Sequence, residues 1–230
     1  MPTADAVLFD MDGVIVDSRA AIEAAWATAL AHHTGRTLTD TDIHEHVHGR
    51  TGAHTVAALF PDHSAAQHRE IWAHVDRLEE TAPYRMIPGV RQFLAALNSA
   101  GVVVGLVTSG WTAKIDHVVG LLDLPDPFAV VISRDDVANG KPHPEPYLTG
   151  CAAIDVPPER TLVFEDSLSG VRSAVAAGTT CVAIGDPALT AAGAIASVED
   201  FTGLSLERSV PGEFRLNGVA APIAIRATAR

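Results

Sequence analysis

The sequence holds 230 residues, 47% of them hydrophobic and 19% charged, which permits a sizeable core and excludes disorder over most of the chain. Its formal charge of −12, from 28 acidic against 16 basic residues, argues against a nucleic-acid or anionic-membrane surface as the main partner. No apolar run approaches the about 20 residues of a membrane-spanning helix.

The N-terminus is acidic and lacks a charged n-region and an apolar h-region, so a cytoplasmic location is expected. The first apolar run, residues 6–9, ends at Asp10 and Asp12. Asp17-Ser18 then offers a helix cap, and residues 18–84 contain no convincing strand. Instead Ile22, Trp26 and Leu30 recur four apart, followed by Val56, Leu59 and Phe60, and by Ile71, Val75 and Leu78.

From about residue 88 strand and helix alternate. Apolar runs at 102–107, 129–132, 161–164 and 181–184 are short and rich in β-branched residues, as strands buried on both faces of a parallel sheet are. Between them lie helical patterns on Val90, Phe93, Leu94 and Leu97, on Ile115, Val118, Val119 and Leu122, and on Val171, Ala174 and Val175 before a stop at Gly178. Cys151 and Cys181 sit in apolar stretches and read as buried free thiols. The expected fold is α/β: a doubly wound parallel sheet, Rossmann-like, of residues 1-17 and 85-230, with a small α-helical domain of residues 18-84 inserted. The last 25 residues read as weakly structured.

Ligands of an open α/β sheet bind beyond the carboxyl ends of its strands. Asp10 and Asp12 follow the first run, Thr108 and Ser109 the second, and Glu165 and Asp166 the fourth, while a loop after the third carries Gly140-Lys141-Pro142. Singly these are weak signals, but together they bring four carboxylates, a hydroxyl and an ammonium to one edge. Carboxylates so gathered repel one another unless a cation neutralises them, and Mg2+ suits oxygen ligands and bridges carboxylates to phosphate.

Phe9-Asp10-Met11-Asp12-Gly13-Val14 resembles the nucleophile motif of the haloacid dehalogenase superfamily. Val107-Thr108-Ser109, Gly140-Lys141-Pro142 and Phe164-Glu165-Asp166-Ser167 match its other three motifs in order and spacing, and the resemblance covers about residues 5–200. The insert is similar to that superfamily's cap in its first insertion position. The resemblance implies Asp10 as the nucleophile, and Asp12 as the acid that protonates the leaving oxygen and then the base for water. Asp10, the backbone carbonyl of Asp12, and Asp166 would hold the metal, with Glu165 as an additional or outer ligand. Thr108 and Ser109 would bind the phosphoryl group, and Lys141 would neutralise it and keep Asp10 ionised. The chain has only two lysines, Lys114 and Lys141, so one falling on the motif position argues against chance.

The run from Asn139 to Tyr147 resembles the third motif of sugar- and polyol-phosphate phosphatases, with His143 and Glu145 as scaffold. His48-Gly49-Arg50 resembles their substrate-facing cap loop. The expected activity is hydrolysis of a small phosphorylated metabolite, a sugar or polyol phosphate, by a monomer or small homo-oligomer. Nine of the eleven histidines fall between His32 and His74, but the alternate spacing of His44, His46 and His48 spreads them around the chain and argues against a zinc site.

Asp12 argues against a dehalogenase, since halide leaves without protonation, and a cap without lysine excludes phosphonatase chemistry. The remaining enzyme alternative is a β-phosphoglucomutase-like isomerase. Against it, the position of that group's gating histidine is Ile22, its cap lysine is replaced by His48, and Trp111 stands where it carries basic groups. A non-catalytic binding relative is the second alternative, opposed by the intact nucleophile and metal carboxylates.

Overall fold

The structure, a computed structural model, describes residues 2–48 and 50–227; the expected substrate residue Gly49 lies outside them. The chain divides into two compact units, Met1–Asp17 with Arg85–Arg230, and Ser18–Tyr84.

The first unit is built on a parallel sheet of β1 (Ala6–Phe9), β2 (Val103–Val107), β3 (Val130–Ile132), β4 (Thr161–Glu165), β5 (Thr180–Ile184) and β6 (Ala196–Val198), in the order β3-β2-β1-β4-β5-β6. The longer helices in chain order are α1 (Arg19–Thr34), α2 (Gly52–Leu59), α3 (Ala65–Glu79), α4 (Val90–Ser99), α5 (Thr112–Leu122), α6 (Glu145–Ala153) and α7 (Leu168–Ala176). Central strand β1 pairs on one side with β2 and on the other with β4, and all four of its side chains are buried. Strand order therefore reverses at β1, which places the crevice of a doubly wound sheet at its carboxyl end.

The alternation of side chains along each strand divides this core in two. Phe9 and Phe164 join Phe93 of α4 and Phe201 in an aromatic cluster with ring centroids 5.2–6.3 Å apart. Leu8 and Val163 point the other way, into a cluster with Val107, Tyr147, Cys151 and Val171. Both cysteines are free and buried, as read from the sequence.

Three sequence expectations need correction. β6 was not foreseen, because a short edge strand with partly buried Ser197 and Val198 needs no continuous apolar run. Ser18 occupies the cap position of α1, but its side chain makes no capping bond. The stretch expected to be weakly structured forms strands β7 (Ser205–Val210), β8 (Glu213–Asn217) and β9 (Ile223–Arg226), which join Thr3–Ala4 in a four-stranded sheet. Leu216, Ile223 and Ile225 are buried there, and Gly212, at φ +79°, supplies the turn between β7 and β8.

The second unit packs α1, α2 and α3 around Trp26, Leu30, Val56, Leu59, Phe60, Ile71 and Val75. A Ser64/Gln67 capping box starts α3, Gly35 in the left-handed region ends α1, and a π-helical turn spans Ile43–Val47.

Candidate active site

The loop leaving β1 is folded back by hydrogen bonds from the Ile15 and Val16 amides to the Met11 carbonyl (2.8 and 3.1 Å). Gly13 sits within it at φ +76°, and a Cβ there would fall inside the Asp166 carboxylate. Only glycine therefore lets the β1 loop and the β4 loop approach closely enough to bring their acids together. The nearest oxygens of Asp10, Glu165 and Asp166 all lie within 4.8 Å of one another.

Lys141 organises this cluster. Its ammonium donates to Asp10 Oδ1 at 2.6 Å, Glu165 Oε1 at 2.6 Å and the Val107 carbonyl at 3.0 Å, which uses its three protons. The loop that carries it is closed by Glu145, whose carboxylate accepts the Ala138 and Asn139 amides at 2.7 and 3.0 Å. The His143 carbonyl accepts the Ser173 hydroxyl at 2.6 Å. Thr108 is buried, and its hydroxyl accepts the Gly110 amide at 2.9 Å, which orients it and leaves its own proton for another acceptor. Ser109, beside it, is exposed.

Glu165 is fully buried and fully engaged. Oε1 accepts from Lys141 and from the Tyr147 hydroxyl at 2.7 Å, while Oε2 accepts from the Asp166 and Ser167 amides and the Ser167 hydroxyl at 3.1–3.4 Å. Gly170 in α7 lies so close that any side chain there would collide with this carboxylate. Burial, and then the Glu165 charge, push the Tyr147 phenol well above its ordinary range, so it stays a neutral donor.

The electrostatics of the cluster show an excess of negative charge. Burial raises Asp10 to about 7; Lys141 opposes the shift, and Glu165 and Asp12 add to it. Burial also raises Asp166 well above the carboxylate range, reinforced by Glu165, Asp10 and Asp12. Burial alone would lower Lys141, but Asp10 and Glu165 overcome it and hold the ammonium charged.

The sequence reading missed the second lysine. Lys114, in the first turn of α5, is almost completely buried, and its ammonium lies 2.8 Å from Asp12 Oδ1 and 3.0 Å from Oδ2. The signal was available, since Lys114 is one of only two lysines in the chain. Trp111 was read as replacing basic groups, yet Lys114 and Arg134 lie 5.5 and 4.6 Å from its ring centre. With its carboxyl groups ionised the site holds four negative charges, from Asp10, Asp12, Glu165 and Asp166, against two ammonium groups. One divalent cation balances the difference, and an all-oxygen donor set matches Mg2+. His48 and Arg50 belong to the helical unit, where His48 Nε2 lies 2.8 Å from Glu23 Oε1 and Arg50 Nε donates to the Glu45 carbonyl at 3.1 Å.

A family model described as haloacid dehalogenase-like hydrolase matches residues 7–184. The chain is 32% identical over 187 residues to hexitol phosphatase A of Escherichia coli, covering 80% of this chain and 84% of that protein. It is also 32% identical over 178 residues to a phosphorylated carbohydrates phosphatase of Thermotoga maritima, covering 76% and 82%. The structure of a HAD hydrolase, family IA, variant 3, from Entamoeba histolytica aligns with a TM-score of 0.78 over 87% of this chain and 95% of that one, a likeness of fold alone at 21% identity.

Proposed function

The chain belongs to the haloacid dehalogenase-like hydrolase family and is a phosphatase, and from that premise we propose that it hydrolyses a small sugar or polyol phosphate, with magnesium bound, through an aspartyl-phosphate on Asp10. The observation that carries this reading is the position of Lys141, 2.6 Å from both Asp10 and Glu165. The ammonium occupies one oxygen of Asp10, favours its ionised form against burial and leaves the other oxygen to attack phosphorus.

In the first step an Asp10 oxygen bonds to phosphorus as the bond to the substrate's alkoxy oxygen breaks, and Asp12 gives that oxygen its proton. In the second, Asp12 takes a proton from water as the water oxygen bonds to phosphorus, and the bond to Asp10 breaks to release inorganic phosphate. Lys114 holds the Asp12 carboxylate in place between the two transfers. Thr108 donates to a phosphoryl oxygen, and the charge of Lys141, whose protons are held by Asp10, Glu165 and the Val107 carbonyl, offsets that of the transferring group. Asp10, Asp166 and the Asp12 carbonyl would hold Mg2+, with Glu165, whose lone pairs are taken, bracing Lys141 behind them. Bound there, the ion would neutralise charge on the phosphoryl group.

The substrate class rests on the relatives, which are named for hexitol and carbohydrate phosphates. Substrate choice is assigned to residues 18–84, acting as a cap, with His48, Gly49 and Arg50 as positions to test. Lys114 and Arg134 beside Trp111 favour a second reading, a mutase that retains a bisphosphate intermediate. The test is a panel of hexose, hexitol and nucleotide monophosphates assayed for magnesium-dependent phosphate release. Conversion of β-glucose 1-phosphate to glucose 6-phosphate faster than phosphate release, with a bisphosphate primer present, would overturn the hydrolase.

A further inference from the structure

The helical unit holds a second group of ligand atoms. His32 and His33 lie in the last turn of α1 and His74 lies within α3, and one ring nitrogen from each falls within 4.8 Å of the other two. His33 Nε2 and His74 Nδ1 are 3.2 Å apart. The three rings meet edge to face, with centroids 4.8–5.4 Å apart. The alternate spacing of His44, His46 and His48 argues against a site among those three; this group draws its ring nitrogens from two helices instead.

We propose that His32, His33 and His74 bind a divalent transition metal of the zinc class, clipping the end of α1 to the middle of α3. Zinc bonds imidazole nitrogen at about 2.0–2.1 Å in tetrahedral geometry, which sets neighbouring ligand nitrogens about 3.4 Å apart. The His33–His74 separation, 3.2 Å, is close to that value, and exposed His32 brings a third ring nitrogen within 4.8 Å of both. Glu70, one turn before His74 on the same face of α3, or a water, can fill the fourth position.

The chemistry of this group differs from that of the acid cluster. Imidazole is a borderline donor that selects zinc, cobalt, nickel and copper over magnesium. Burial lowers both His33 and His74, and His32 adds to the shift of each, so both favour neutral nitrogen at pH 7. Their charged surroundings are His63 and Glu70 near His33, and Arg77 near His74. The carboxyl end of α1 also favours a cation.

The test uses the full chain in excess Mg2+, titrated with Co2+ and followed by visible absorption, then by displacement with Zn2+. One equivalent should bind with the intense band of tetrahedral cobalt and be displaced by zinc. His32→Gln, the substitution least able to disturb folding because that ring is exposed, should lose saturable binding, as should His74→Gln. Asp10→Asn and Asp166→Ala should retain it. No saturable band in the wild-type protein, a band that survives both histidine substitutions, or one lost in Asp10→Asn would each overturn the site.

Discussion

The acid cluster at the end of β1 and the histidine cluster of the helical unit bring ligand atoms to the same spacing, within 4.8 Å, by opposite means. At the sheet edge the groups are buried, anionic and crowded, and the protein supplies two buried lysines without balancing them. In the helical unit they are imidazoles, half-exposed at His33 and His74 and exposed at His32, and joined by a nitrogen–nitrogen contact between His33 and His74. A charged cluster under burial stores repulsion that a hard dication relieves, whereas a neutral cluster offers lone pairs and little field. The same spacing therefore implies different metals and different consequences of removing a ligand.

The comparison breaks most sharply at Asp10. Asp10→Asn is nearly isosteric and removes both the nucleophile and one negative charge, so turnover should be lost while the fold is kept. Retention of more than a small residue of activity in a folded variant, measured as phosphate release, would end the covalent mechanism. Lys114→Met comes next. It leaves Asp12 without its cation and should slow turnover of an alkyl phosphate by about 10²-fold, the usual scale of acid–base catalysis. The loss should be smaller for an aryl phosphate, whose leaving group needs less protonation, and Lys114→Arg should restore part of it. Equal losses on both substrates would make Lys114 a packing residue.

Those two side chains also mark how far the sequence could be read. Asp10, Asp12, Thr108, Lys141, Glu165 and Asp166 were legible because each follows a short apolar run or its loop, and parallel topology brings all such ends to one edge. Lys114 was not, because its link to Asp12 spans 102 residues and joins a helix to a loop by side chains alone. The C-terminal sheet was hidden by β7, whose residues are mostly exposed, although Pro211-Gly212 between two short runs carries the turn signal. The histidine triad was hidden in the same way as Lys114, since nothing local to His33 announces His74.

A third experiment sharpens the charge argument. Asp10 is raised to about 7 in the fold, so between its ordinary 3.8 and that value the folded protein binds more protons than the unfolded chain. Stability of the metal-free protein from this group is therefore present below pH 4 and lost as pH rises through about 7. Asp166, raised by burial in the same sense, adds to it. Magnesium binds the ionised form, so the rise in melting temperature between EDTA and Mg2+ should grow with pH across that window. A rise independent of pH would separate the ion from these carboxylates, and full activity in EDTA would remove it from the reaction.

The smallest expected effect lies at the histidine pair, without added metal. A partly buried hydrogen bond contributes about 1 kcal/mol net, and in a protein of this size that corresponds to about 2–4 °C in melting temperature. His74→Ala in EDTA at pH 8 should show a fall of that order. The sign of the pH dependence is opposite to that at Asp10. Burial and the neighbouring histidines lower His33 and His74, so the fold binds fewer protons than the unfolded chain near the ordinary histidine value of 6.5. The wild-type protein therefore loses stability as pH falls through 6.5, and the variant escapes part of that loss. The gap between them should narrow towards pH 5 in thermal melts, whereas a gap that widens on acidification would mean that protonation favours the fold, as when one imidazolium donates to the other ring, and that the cluster is not built from neutral imidazoles.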